Sequence, residues 1–66
     1  MTIKLNGKEH PTAPSTSVES LLQSLSLSDK PVVVELNKKA LFPREYADIT
    51  LNHDDTVEII TIAAGG

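Results

Sequence analysis

Thr16-Ser17-Val18-Glu19-Ser20-Leu21-Leu22-Gln23-Ser24-Leu25 carries the helical signal of this chain. Val18, Leu21, Leu22 and Leu25 fall at i, i+3, i+4 and i+7, which lines one face of a helix with apolar side chains. Ser20, Gln23 and Ser24 face away. Thr16 and Glu19 have the spacing of a capping box, with Thr16 as the cap and Glu19 reaching back to the cap's amide. Lys30-Pro31 closes the region, because a residue before proline avoids the helical well.

Upstream, Met1-Thr2-Ile3-Lys4-Leu5 alternates apolar and polar residues, the pattern of a half-buried strand with Met1, Ile3 and Leu5 inward. Asn6-Gly7 supplies the positive φ angles of a type I′ turn, so a hairpin is expected. The returning arm, Lys8 to Pro14, contains Pro11 and Pro14 and belongs on a sheet edge, since proline donates no ladder hydrogen bond.

Downstream, Val32 to Leu36 is a β-branched run and is predicted to be a buried central strand. Asn37-Lys38-Lys39 is a turn with a solvated tip. Leu41 to Tyr46 is a bridge with one helical turn starting at Pro43. Ile49 and Leu51 mark a short strand, and Asn52-His53-Asp54-Asp55 a polar turn. Thr56 to Ile62 is a last strand with Val57 and Ile59 inward and Glu58 outward. One helix across one face of a mixed four- to five-stranded sheet makes an α+β domain of two layers, which suits the β-grasp. The domain is placed at residues 1–62, and residues 63–66 form a flexible C-terminal tail.

Composition bounds the function. Sixty-six residues make one domain with a thin core. The chain has no cysteine, which excludes disulfides and cysteine metal sites and fits a reducing cytoplasm. No metal site is expected. No segment reaches the roughly 20 apolar residues of a membrane span. Residues 1–6 do not have the charged start and apolar block of a signal peptide. A net charge of −3, with one Tyr and one Phe, gives no basic face and no stacking platform, so no nucleic-acid partner is expected. His10 lies beside a proline on an edge and His53 in a polar turn. Both are read as solvated residues, and a thin core leaves little room for an internal active site. A phosphate cradle needs a glycine-rich strand–helix loop, and Gly7 is the one glycine outside the tail.

Chemistry is therefore sought at Ala63-Ala64-Gly65-Gly66. These slim residues can enter a narrow channel, and four extended residues reach about 13–14 Å. A free α-carboxylate at Gly66 is an anion at neutral pH and a poor electrophile, so it needs activation. Adenylation would make it an anhydride open to a sulfur nucleophile. Ordering four residues costs about 4–8 kcal/mol, which the body of the domain must offset. Alternation turns Ile60 and Ile62 away from the face of Val57 and Ile59, so both are expected in an outward apolar patch beside the tail, joined by Val33. The rival arrangement is a sheet covered on both faces, which a single helix does not provide.

Several landmarks, in order, carry a family resemblance. They are Ile3-Lys4-Leu5-Asn6-Gly7-Lys8, Val18-Glu19-Ser20-Leu21-Leu22 and Val32-Val33-Val34-Glu35-Leu36-Asn37. Pro43-Arg44-Glu45-Tyr46, Asp55-Thr56-Val57-Glu58-Ile59-Ile60 and Gly65-Gly66 follow. Over nearly its whole length the chain resembles the ThiS family, ubiquitin-like β-grasp sulfur carriers of thiamine biosynthesis. The resemblance implies that an E1-like, ThiF-like adenylyltransferase adenylates Gly66 with ATP that the partner consumes. A cysteine-persulfide sulfur donor then gives a thiocarboxylate, and a ThiG-like thiazole synthase takes the sulfur. It further implies a monomeric cytoplasmic co-substrate with no bound cofactor and no catalysis of its own. Gly65, Ala64, Ala63, Ile62, Ile60 and Val33 would be the partner-binding residues. Three positions depart from the family's pattern: Asp54 and Lys38 stand where turn glycines are common, and Ala64 where the tail often has glycine. Competing readings are a carrier for molybdopterin synthesis, a ubiquitin-like modifier that forms lysine isopeptides, and a non-catalytic β-grasp interaction domain.

Overall fold

The structure, a computed structural model, describes residues 1–62. Its elements are β1 (Thr2–Leu5), β2 (Lys8–Pro11), α1 (Val18–Ser24), β3 (Val32–Leu36), β4 (Lys39–Ala40), a 3-10 turn (Pro43–Glu45) and β5 (Thr56–Thr61). The sheet order is β2-β1-β5-β3-β4. β1 and β5 are parallel, with Leu5 opposite Val57, and the other pairs are antiparallel. This is the mixed sheet and single helix of a β-grasp domain.

Each layer supplies one side of the core. Ile3, Val34, Val57 and Ile59 point from the strands toward Val18, Leu21 and Leu22 of α1, and Tyr46 and Leu51 close the ends. Met1, Leu5, Leu25, Leu27 and Leu36 pack around this cluster. Ser20, Gln23 and Ser24 are exposed, as the helical stripe requires. Burial pushes the Tyr46 phenol above its ordinary value.

The opening hairpin forms as its turn residues predict. Asn6 and Gly7 have φ of 50° and 83°. β2 lies at the sheet edge, where Pro11 leaves no ladder bond unmade. The Asn6 side chain then does a second job. Its Oδ1 accepts from Ile59 N at 2.8 Å, and its Nδ2 donates to Ile59 O at 3.2 Å. β1 has ended by this point, so a side-chain amide takes the place of the next strand residue beside β5.

Five local expectations are corrected. The helix cap is Ser17, not Thr16: Ser17 Oγ accepts from Ser20 N at 3.0 Å. Thr16 cannot cap, because Leu51 N donates to Thr16 O and Val18 N to Ile49 O, which holds Thr16 and Ser17 in extended backbone. Those same bonds explain why Ile49 to Leu51 is not a strand of the sheet. It makes one bridge, Ser17 to Thr50, and its alternation serves to pack Leu51 under the helix start.

The helix also ends well before Lys30-Pro31. Ser26 turns left-handed at φ 60°, Leu27 N donates to Leu22 O at 2.8 Å and Ser26 N to Gln23 O at 3.0 Å. This is a Schellman closure made without glycine. Finally, β5 rather than β3 is the central strand. β3 is buried on one face only, through Val34, and Lys39 leaves the turn to start β4. The Asn37-Lys38 turn has φ of 50° and 71°, and Asp54 has φ 69°. Asp54 thus adopts the conformation expected of a residue standing in for a turn glycine.

Two predictions follow from these turns. Asn6→Ala strands both backbone groups of Ile59 and should cost about 1–3 kcal/mol in urea unfolding. Asn6→Asp, which keeps the acceptor, should cost less. Lys38→Gly relieves a left-handed lysine and should raise stability by about 0.5–1 kcal/mol in the same assay.

Candidate docking face and chain exit

The central strand is also the last one, so it carries the chain out of the domain. Five consecutive pairs join β3 to β5, from Leu36–Val57 to Val32–Thr61. Ile62 N then donates to Pro31 O at 2.9 Å, one step past the strand. On the other side of β5, Asn6 holds Ile59. The backbone is thereby fixed up to the residue before the expected tail. Ala63, Ala64, Gly65 and Gly66 lie outside the described residues.

Alternation along this fixed strand sends neighbouring isoleucines to opposite faces. Ile59 is buried, whereas Ile60 and Ile62 are 53% and 52% exposed on the face away from α1. Val33, 36% exposed, is the direct register partner of Ile60. The three residues expected in the patch therefore share one face and run toward the chain exit.

A fourth member, Phe42, was not foreseen. Leu41 N donates to Val34 O at 2.9 Å, which extends the β3–β4 register by one residue. Leu41 is half-buried and Phe42, still extended at φ −88° and ψ 144°, takes the opposite face beside Val33. Phe42 is 58% exposed, and the Arg44 guanidinium lies over its ring at 4.8 Å. The signal was present in Lys39-Ala40-Leu41-Phe42, had it been read as a strand. The proline turn after it masked the alternation.

Among the described residues, the groups on the helix side do not assemble into a reactive centre. An open groove of about 430 Å³ between β2 and α1 holds His10 with Thr16, Ser20 and Ser24, but no hydrogen bond joins the imidazole to a hydroxyl. His53 Nδ1 accepts from Thr2 N at 3.0 Å, and its Nε2 lies 3.5 Å from Asp54 Oδ1 on the surface. Among the described residues, no three of His, Cys, Asp and Glu gather as a metal site, and no helix is long and apolar enough to cross a membrane.

Comparison with known proteins agrees with this geometry. The model of the ThiS family matches residues 3–66. The sulfur carrier protein ThiS of Bacillus subtilis is 34% identical over 65 residues, covering 97% of this chain and 98% of that protein. A thiazole synthase of Magnetococcus marinus is 35% identical over 66 residues, and this chain spans only 20% of its length. The crystal structure of the thiamine biosynthesis protein ThiS from Geobacter metallireducens superposes with a TM-score of 0.85 at 32% identity, each chain covered completely.

The two-faced strand makes a direct prediction. Ile59→Thr opens the core and buries a hydroxyl, and should cost about 2–4 kcal/mol. Ile60→Thr, one residue on, should stay within about 0.5 kcal/mol of the parent in urea unfolding.

Proposed function

The chain belongs to the ThiS family, and from that premise we propose that it is a sulfur carrier of thiamine biosynthesis whose reactive group is the Gly66 carboxylate. The observation that carries this reading is the exit of β5. The strand is held on both sides as far as Ile59 and on the β3 side up to Ile62, and an exposed apolar face lies beside the point where the chain leaves. Such a face can supply the binding energy that four side-chain-poor residues cannot.

The chemistry proceeds on the partners. A Gly66 carboxylate oxygen attacks the α-phosphorus of ATP on an adenylyltransferase, and pyrophosphate leaves. The terminal sulfur of a cysteine persulfide then attacks the acyl carbon and displaces AMP. A second thiol cleaves the resulting S–S bond, leaving the thiocarboxylate on Gly66 and a disulfide on the donor. Thiazole synthase accepts that sulfur, and the carboxylate returns for another cycle. This chain contributes presentation: a docking face, a rigid last strand and a narrow end. ATP is spent by the partner, no cofactor resides on the carrier, and the cycle belongs in the cytoplasm. Ala63, Ala64 and Gly65 enter the partner's channel, while Val33, Ile60, Ile62 and Phe42 hold the body outside it.

Intact-mass measurement tests this. After incubation with the adenylating enzyme of the same organism, ATP and a sulfide source, one oxygen at Gly66 should be replaced by sulfur. Deleting Gly66, or adding one residue after it, should abolish the change without altering the unfolding midpoint. A stable conjugate on lysine, or no change in mass, would overturn the proposal.

A further inference from the structure

The face beside the chain exit has a charged feature that folding does not explain. Glu35 and Glu58 are direct register partners on β3 and β5. Alternation puts both on the same face as Val33 and Ile60, one row further from the exit, about 7 Å along the strands. Like charges placed opposite one another weaken a sheet. Here they occupy two interior strands, not an edge where charge would ward off stray pairing.

Among the described residues no cation lies within ion-pair distance of either. Among the described residues neither carboxylate takes part in a hydrogen bond or an ion pair, and the ion pair present is His53–Asp54, in a different turn. Lys4 shares the face but sits opposite Thr56 on one side and Glu9 on the other. Arg44 is engaged over Phe42.

We infer that Glu35 and Glu58 form a charge-selecting element of the docking face, made to receive a guanidinium or ammonium group that thiazole synthase presents beside apolar side chains. The inference rests on the carrier reading above and names what that reading leaves open, namely how the apolar face selects its partner. An apolar row accepts many surfaces. A paired carboxylate beside it accepts those with a cation in register and rejects those without. The same pair argues against a second copy as occupant, because two such faces brought together would gather four carboxylates in a chain already at −3. Thiazole synthase is the partner chosen because relatives bearing that name contain this whole domain within one longer chain.

The test is calorimetric titration of the full chain with thiazole synthase of the same organism, at about 50 mM and about 0.5 M salt, where screening lengths differ several-fold. Glu35→Gln/Glu58→Gln keeps shape and removes charge. It should bind about tenfold more weakly at low salt and lose most of the parent's salt dependence, yet melt at a higher temperature than the parent. A merely structural pair would not weaken binding while raising stability. Glu35→Lys/Glu58→Lys should abolish binding.

The inference alone fails if the parent gains sulfur at Gly66 and binds thiazole synthase, but the Gln variant binds equally well. It also fails if the Gln variant weakens only the adenylating enzyme, or if sedimentation shows a dimer that Ile60→Ser dissolves. If the parent neither gains sulfur nor binds, the carrier reading fails and this inference with it.

Discussion

The structure depends on the clasping of β5 between two partners of opposite direction. Its pairing with β3 is antiparallel and spans the whole strand, whereas its pairing with β1 is parallel and short. The shortfall is made up by Asn6, whose amide meets Ile59 as a backbone unit would. The last element among the described residues thus becomes the middle of the sheet. Its inward side chains, Val57 and Ile59, complete a core that β1, α1 and β3 leave open. The contacts that define the fold join distant parts of the chain, so loop closure must precede most of the stabilisation.

That arrangement has a consequence for how a small domain stays rigid near its exit. A strand in the middle of a sheet cannot fray as an edge strand can, because both of its ladders must open together; that holds for β5 as far as Ile59. Beyond it the β3 side alone continues, to Thr61 and to Ile62, whose amide reaches Pro31 O.

Much of this was legible in the residues, for identifiable reasons. Asn6-Gly7 announced its turn because few pairs accept two left-handed conformations, and the stripe Val18, Leu21, Leu22 and Leu25 has one helical solution. The outward placement of Ile60, Ile62 and Val33 followed from strict alternation, once a single helix had been counted. What escaped was set by tertiary contact. Thr16 and Ser17 are equally good caps in isolation, and the bridge to Thr50 decides between them. Ile49 and Leu51 alternate like a strand but spend their hydrogen bonds on the approach to the helix. β4 is too short to announce itself, so Phe42 was missed with it. The tail residues Ala63 to Gly66 were read from composition and chemistry alone, and they fall outside the described structure.

The turns show what a chain with a single glycine in its folded body gives up. Ser15, Ser26, Asn37, Lys38 and Asp54 all take positive φ without glycine. Asn37 is held there by its side chain, which accepts from Thr56 N and donates to Asp55 Oδ1 in the turn before β5. Ser26 is held by the helix closure, while Lys38 has only the hairpin to hold it. Each substitution costs local strain but stiffens the unfolded chain less than it constrains the folded one. With a thin core, that cost is affordable only because the turns connect strands already fixed in register. Strain collected at the loops and like charges collected on one exposed face are therefore different in kind. The loops can be explained by what they connect, whereas Glu35 and Glu58 face each other across two interior strands with no hydrogen bond or ion pair among the described residues to offset their repulsion.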